Sequence, residues 1–342
     1  MSANLPGREV IRQAVDLARR APSLHNSQPW RWVADETTLQ LWADPRRRMP
    51  GTDPSGRELT LSCGAVLDHV RVAMAAAGWG SITERLPNAH DPAHLATLRF
   101  RPAASIAAPD QRLAQAIRRR HTDRLPYAAP SPWSPLEAVL RDAVTPYGVS
   151  LDVIADDQRP RLAEVSRLTE TLRRYDTTYL TELRWWASPF ESDASHVPQS
   201  SLVSASEAAR VDIGRAFPPT GGGHRRPTVD HDHSKIVVLS TRRDETAEVL
   251  RCGEALSAVL LECTAAGMAT CTLTHLTELE HSRAIIGEIT GTSGRPQLLI
   301  RVGRSPAHEH PAETTPRRPM SEVLDFVPGS SAADGTSKEE RE

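Results

Sequence analysis

The sequence predicts an α+β protein made of two diverged copies of one fold, with helices packed on central, mostly antiparallel sheets. Three observations predict it. A helical segment occurs twice, short apolar runs flank each occurrence, and the polar motifs divide between the two halves.

The repeat comes first. Cys63–Gly78 reads CGAVLDHVRVAMAAAG and Cys252–Gly267 reads CGEALSAVLLECTAAG, agreeing without a gap at seven of sixteen positions. In both, apolar residues recur three and four apart, the spacing of a helix buried on one side. Both end in Ala-Ala-Gly, and glycine suits a helix C-terminus. Two similar Ala-rich helices would look alike too, but the flanks also match. Leu39–Trp42 and Lys235–Leu239 precede the helices, Thr97–Phe100 and Gln297–Ile300 follow them, and all four read as strands.

Copy one is expected over about 1–108 and copy two over about 109–327. Copy one opens on a helix through Val10, Ile11, Ala14, Val15 and Ala18; copy two opens on a helix over Pro109–Arg120. A strand at Val149–Ala155 and one long helix over Pro160–Trp186 follow. The Ser-, Pro-, Gly- and His-rich stretch at about 188–233 is expected to be a loop or lid. The polar end, 328–342, is expected to be disordered.

Composition bounds the function. The 342 residues are 39% hydrophobic and 25% charged, which suits a globular protein. No apolar stretch approaches the roughly 18 residues that cross a bilayer, and MSANLPGREVIRQ lacks the apolar core of a secretory signal. A cytoplasmic protein with no membrane partner is expected. A net charge of −2 gives no reason to expect nucleic acid. The four cysteines have no paired spacing, which points to packing rather than a zinc site or disulfides. Lys235 and Lys338 are the only lysines, so Schiff-base chemistry has one realistic candidate, Lys235.

Three segments carry chemistry. Ala21–Trp30, APSLHNSQPW, follows the first helix; its prolines stiffen the backbone, while Ser23, Asn26 and Gln28 offer hydrogen bonds. Such a loop can present polar groups to a flat ring, or simply cap a helix and bury a tryptophan. Arg118–Arg124, RRRHTDR, sets arginines beside a hydroxyl, as a phosphate site requires. It equally suits a charged helix end. Arg317-Arg318 is a third basic pair, and such a pair alone is ordinary surface.

Together these segments resemble the nitroreductase-like FMN flavoproteins. APSLHNSQPW is similar to that family's flavin loop, RHTDR to its N-terminal phosphate motif, GMATCTLTH to the segment beside the flavin ring, and PRRP to its C-terminal phosphate clamp. The order matches from about residue 8 to 326, and the duplication and CTLTHLTE resemble the single-chain Acg subgroup. The resemblance implies FMN, with NAD(P)H and a nitroaromatic or quinone acceptor as small-molecule partners. It implies that Arg120, Thr122, Arg317 and Arg318 hold the phosphate, and that Arg124 lies at the pyrimidine edge of the ring. Pro22, Ser23, Leu24 and Asn26 line the ring, with Gln28 supporting the loop. Thr272, Thr274 and His275 fall near flavin N5. Many members carry Glu-Gly where this chain has Thr274-His275.

The family's sites are shared between two subunits. Here copy one has the Pro-Ser loop without a phosphate motif, and copy two has the phosphate motif with VTPYG (Val144–Gly148) in place of the loop. One site per chain, in a pseudo-dimer able to act as a monomer, is the expectation. The alternative to a reductase is a protein that sequesters FMN beneath the lid. No GxGxxG follows a strand, Gly221–Gly223 lacks the ending of a phosphate loop, and the HDH of His231–His233 is a weak metal signal, so no metal is expected. Trp185-Trp186 fits either core packing or a position over the flavin.

Overall fold

The computed structural model describes residues 5–187, 197–217, 223–306 and 314–327. The expected disordered tail and parts of the expected lid lie outside the described residues. Helix α1 (Arg8–Ala18) buries Ile11, Ala14, Val15 and Ala18 along one stripe. The Pro-Ser turn leads into β1 (Trp30–Ala34) and β2 (Leu39–Ala43), then α2 (Arg57–Ala76) and the pair β3 (Trp79–Arg85) and β4 (His94–Pro102). Next come α3 (Ala108–Arg119), α4 (Trp133–Val144), β5 (Ser150–Val153), α5 (Arg159–Arg173), α6 (Thr177–Trp186) and the short α7 (Ala205–Ala208). Strand β6 (Lys235–Thr241) precedes α8 (Thr246–Ala265), β7 (Ala269–Leu273), α9 (His275–Glu278), α10 (Glu280–Thr290) and β8 (Arg295–Gly303). The chain closes on α11 (Met320–Val323) and β9 (Leu324–Phe326).

The strands form two sheets, ordered β3-β4-β2-β1-β9 and β5-β6-β8-β7. Every pairing is antiparallel except β1 with β9, which is parallel. Strand β9 therefore returns from the end of the chain to the first sheet, Trp32 facing Leu324. Among the described residues one large apolar core holds Trp30, Trp32, Leu41, Leu67 and Leu98 against the first sheet; the second sheet has two, one with Leu239, Val259, Leu298 and Ile300, the other with Val238, Leu273, Ile286 and Leu299.

Between the sheets, α2 and α8 cross. Their contact needs two glycines. A Cβ on Gly64 would lie 2.1 Å from the Leu250 carbonyl, and one on Gly253 would lie 2.1 Å from the Leu61 carbonyl. Gly64 and Gly253 are 189 positions apart, as are Leu61 and Leu250, so the contact is reciprocal. Asp68 and Ser257, again 189 apart, hydrogen-bond at 2.6 Å. Against the expectation that no stretch approaches bilayer-crossing length and apolarity, the 20 residues of α2 reach both, but 67% of its most apolar stretch is buried inside the fold. That burial against α8 explains its apolarity.

The expected long helix over 160–186 is two helices. The chain breaks after Arg173, and Asp176 restarts it by accepting a hydrogen bond from the Tyr179 amide. Strands β1, β3 and β7 and helices α4 and α10 lie between the elements read from the sequence. All four cysteines are buried and free, as packing residues should be.

Candidate functional site

The Pro-Ser segment is a backbone under strain. His25, Asn26 and Gln28 have φ of 47°, 62° and 48°, the left-handed region that non-glycine residues avoid. Short-range bonds over-determine it. The Ser23 hydroxyl accepts from the Gln28 amide at 3.0 Å, and the Leu24 amide donates to Ser62 Oγ on α2 at 3.2 Å. Asn26 donates to the Pro316 carbonyl at 3.2 Å, so the C-terminal segment closes over the turn.

Behind this turn lie two adjoining cavities. The larger, about 440 Å³, is within the usual size of small-molecule sites. Pro22, Ser23 and Leu24 line it from the first half, with Glu58 and Leu61 from α2. Thr122, Arg124, Thr272 and Thr274 line it from the second half. The smaller, about 120 Å³, is walled by Arg20, Arg118, Arg119, Arg120, Arg317 and Asn26 among others. Pro22, Ser23, His25, Thr122 and Arg124 line both, so the two spaces adjoin. Segments nearly 300 residues apart in the chain meet here.

Among the described residues, the small cavity is a well of positive charge with no acid in it. Among the described residues, none of Arg20, Arg118, Arg119, Arg120, Arg124 and Arg317 is paired with a carboxylate. Arg317 is held by the carbonyls of Arg19, Arg20, Thr315 and Pro316. Arg120 donates to the Arg20 carbonyl at 2.9 Å, while its Nε is buried with no partner. Burial, then Arg20, pulls the Arg120 guanidinium down to about 10. Burial, then Arg120, Arg20 and Arg19, pulls Arg317 down to about 9. Cations this crowded and desolvated favour a dianion, and a terminal phosphate has the oxygens to take their free N–H groups. Thr122 adds a hydroxyl at the junction, its backbone bridged to Thr270 at the start of β7.

Three expected site residues stand elsewhere. Arg318 is buried and turned away from both cavities; its guanidinium donates to the Gln28 and Trp30 carbonyls and lies 3.7 Å from Asp44. Arg317 and Arg318 are neighbours in an extended segment, so only one can face the well. Gln28 lines neither cavity: its amide group receives the Arg318 backbone N–H at 2.9 Å and donates to the Asn26 carbonyl at 3.2 Å, splinting the turn. His275 begins α9 and points inward, its Nε2 3.0 Å from Ser166 Oγ. Burial and then Arg215 hold that ring well below the usual histidine range, so it is neutral. Thr274 is at the cavity wall. Trp185 and Trp186 stack edge-to-face on each other and line neither cavity.

The insertion forms the far wall. Val203, Ala208, Val211, Arg215 and Phe217 line the larger cavity. Phe217 lies 5.0 Å from the Arg124 guanidinium and meets His25 edge-on at 5.7 Å. Arg215 reaches Thr274 Oγ1 at 3.0 Å and Tyr179 Oη at 2.9 Å, and it pairs with Glu278. Buried ion pairs pin the insertion at its base: Arg226 with Asp123, and Asp232 with Arg301. The insertion is thus seated on the cavity. Asp230, His231 and His233 are exposed and line neither cavity.

Sequence reading missed Glu58. It is buried on the first turn of α2, its Oε1 3.2 Å from Arg57 and its Oε2 without a partner. Nothing around it in the sequence distinguishes it from an ordinary helix-start acid; only the tertiary fold places it on the cavity wall.

No protein-family model matches the chain. Full-length relatives do. The protein acg of Mycobacterium tuberculosis, a NAD(P)H nitroreductase by name, is 54% identical over 92% of this chain and 95% of its own. Rv3131 of the same organism, likewise a NAD(P)H nitroreductase by name, is 37% identical over 95% of this chain and 94% of its own. Among solved structures, the FMN-dependent nitroreductase NfnB of Mycobacterium smegmatis with NADPH aligns with 64% of this chain and 98% of its own at a TM-score of 0.40 and 13% identity. On the strength of its close full-length relatives, the chain belongs to the nitroreductase-like family.

Proposed function

We propose that this protein is an FMN-dependent oxidoreductase that takes electrons from NAD(P)H and gives them to a nitroaromatic or quinone. The observation that carries this is the pair of adjoining cavities, one roomy and largely apolar, the other walled by arginines that meet no acid among the described residues. Bound FMN would supply a two-electron carrier that accepts hydride and passes it on. Arg120, Arg317 and Thr122 hold the phosphate. Pro22, Ser23, Leu24 and Asn26 form one wall of the flavin site, and Thr272 and Thr274 form another. Arg124, a buried cation, stabilises negative charge at the pyrimidine edge. Arg318, Gln28 and His275 act from behind, holding the turn and α9 in place. A cytoplasmic setting, where NAD(P)H is available, fits this reading.

In the same reading, residues 1–108 and 109–327 are diverged copies, and each gives half of one site. The reciprocal glycine contact of α2 and α8 supports the duplication. The copies bury against each other the face that a dimer would use, so the protein is able to act as a monomer. The seated insertion supports a second reading, in which FMN is bound and sequestered. Release of the chromophore by heat, followed by chromatography, tests for FMN against FAD. Anaerobic mixing with NADPH then separates the readings: bleaching of the flavin absorbance supports the reductase, and full occupancy without bleaching supports sequestration.

A further inference from the structure

The buried charges around the larger cavity are unevenly shared. Glu278 on α9 pairs with Arg215 from the insertion and with Arg173 from α5, the latter at 3.4 Å. Asp53, in the loop before α2, accepts the Leu59 amide at 2.8 Å. The Arg57 guanidinium is spread over the Gln297 carbonyl, the Thr277 carbonyl and hydroxyl, and one oxygen of Glu58. Glu58 is one of the residues that line this cavity, and among the described residues no group satisfies its buried Oε2. An ionised carboxylate with a bare buried oxygen is costly, whereas a protonated one offers an O–H to a ligand.

We infer that Glu58 is a carboxylic acid that donates a proton to the electron acceptor reduced in this cavity. The inference rests on the oxidoreductase reading above. A quinone takes two electrons and two protons. Reduced FMN, when bound, would supply both electrons and one proton as hydride to one end of the quinone, and Glu58 would give its O–H proton to the other oxygen. The products are hydroquinone, oxidised flavin and a Glu58 carboxylate beside Arg57, which water reprotonates. The groups facing Glu58 are Arg57 on its own helix, Asp53 before it, Glu278 on α9 and Arg215 on the insertion. Burial first, and then Glu278, pushes its carboxyl up to about 8, so the acid survives at neutral pH.

The test uses the FMN-loaded protein, reduced anaerobically with dithionite so that no nicotinamide is needed, and mixed with benzoquinone. Glu58→Gln is expected to slow flavin reoxidation on the order of a hundredfold, a usual share for general acid catalysis. The wild-type rate should fall as pH rises through about 8, and the variant should lose that limb. Infrared difference spectra of the wild type across that pH provide a readout apart from turnover: a protonated-carboxyl C=O band should vanish and be absent from Glu58→Gln. Reoxidation within twofold of wild type with the same pH limb would overturn the assignment, as would no such band. A protein that takes up no FMN would fail at loading, which breaks the oxidoreductase reading. The infrared band still decides whether Glu58 is protonated.

Discussion

Two crevices flank the α2–α8 contact, and they have opposite fillings. On one side, the Pro-Ser turn packs on α2, and Thr272 and Thr274 follow α8. That crevice is open, and among the described residues its Arg120, Arg124 and Arg317 have no acid partner, while Arg215 from the insertion pairs with Glu278. On the other side, the turn at Thr145–Tyr147 packs on α8, and Thr83 and Arg85 stand 189 positions before Thr272 and Thr274. There the charges close on one another. Arg85 grips Glu254 through two bonds of 2.6 and 2.8 Å, Arg71 bridges Glu254 and Asp68, and Tyr147 donates to Asp68 at 2.8 Å. The difference teaches how the same residue type can serve two ends: on the proposed reading, cations kept apart from acids are free to meet an anion, while cations paired inside the protein hold the protein together.

The largest effect expected from this contrast is in stoichiometry: one FMN per chain. Flavin absorbance against protein concentration in fully loaded samples measures it, and two flavins per chain would break the comparison. Next is the shared axis. Gly64→Val drives a side chain into the backbone of Leu250, where no flexible group can yield. A loss beyond about 3 kcal/mol in denaturant unfolding, or failure to fold, is expected. A loss below 1 kcal/mol would show that the helices have room to separate.

The two arginine sets should then respond with opposite sign. Arg85→Ala leaves the buried Glu254 with Arg71 alone and should destabilise the chain by roughly 2 kcal/mol, with FMN affinity unchanged. Arg120→Ala removes a cation that nothing neutralises. It should weaken FMN binding by about one to two decades and leave the apoprotein no less stable. Fluorescence titration and chemical denaturation on both variants provide the cross-check, and equal destabilisation would refute the contrast.

The last test of the comparison is with pH. The Glu58 pKa in the fold is about 8 against 4.5 ordinarily, so its stabilising contribution is complete below 4.5 and is lost as pH rises through 8. The wild-type apoprotein should therefore lose more melting temperature between roughly pH 6 and 9 than Glu58→Gln does. Parallel curves would show that Glu58 has no such role.

Much of this was legible early because it is local. A helix buried on one side writes its period into the chain, so α1, α2, α3 and α8 are visible at once. The division of Pro22-Ser23 from Arg120-Thr122-Arg124 is visible as well, since each motif is short and contiguous. Strands β3 and β7 were not, because each is a brief sheet edge whose partner decides its register. The break at Asp176 was missed because one capping residue interrupts an otherwise unbroken helical pattern.

The sequence alone determined the fold class, the repeated central helix and the residue types of an anion site. It could not decide between Arg317 and Arg318, which carry the same charge one position apart. Tertiary structure turned the first to the well and the second to the carbonyls of Gln28 and Trp30. Nor could it give Glu58 a role, or say that the insertion seats Arg215 on Thr274 and Glu278. Such roles depend on which side a backbone faces and which charges remain unpaired after packing. Those quantities are sums over distant neighbours, and they exist only when the chain has folded.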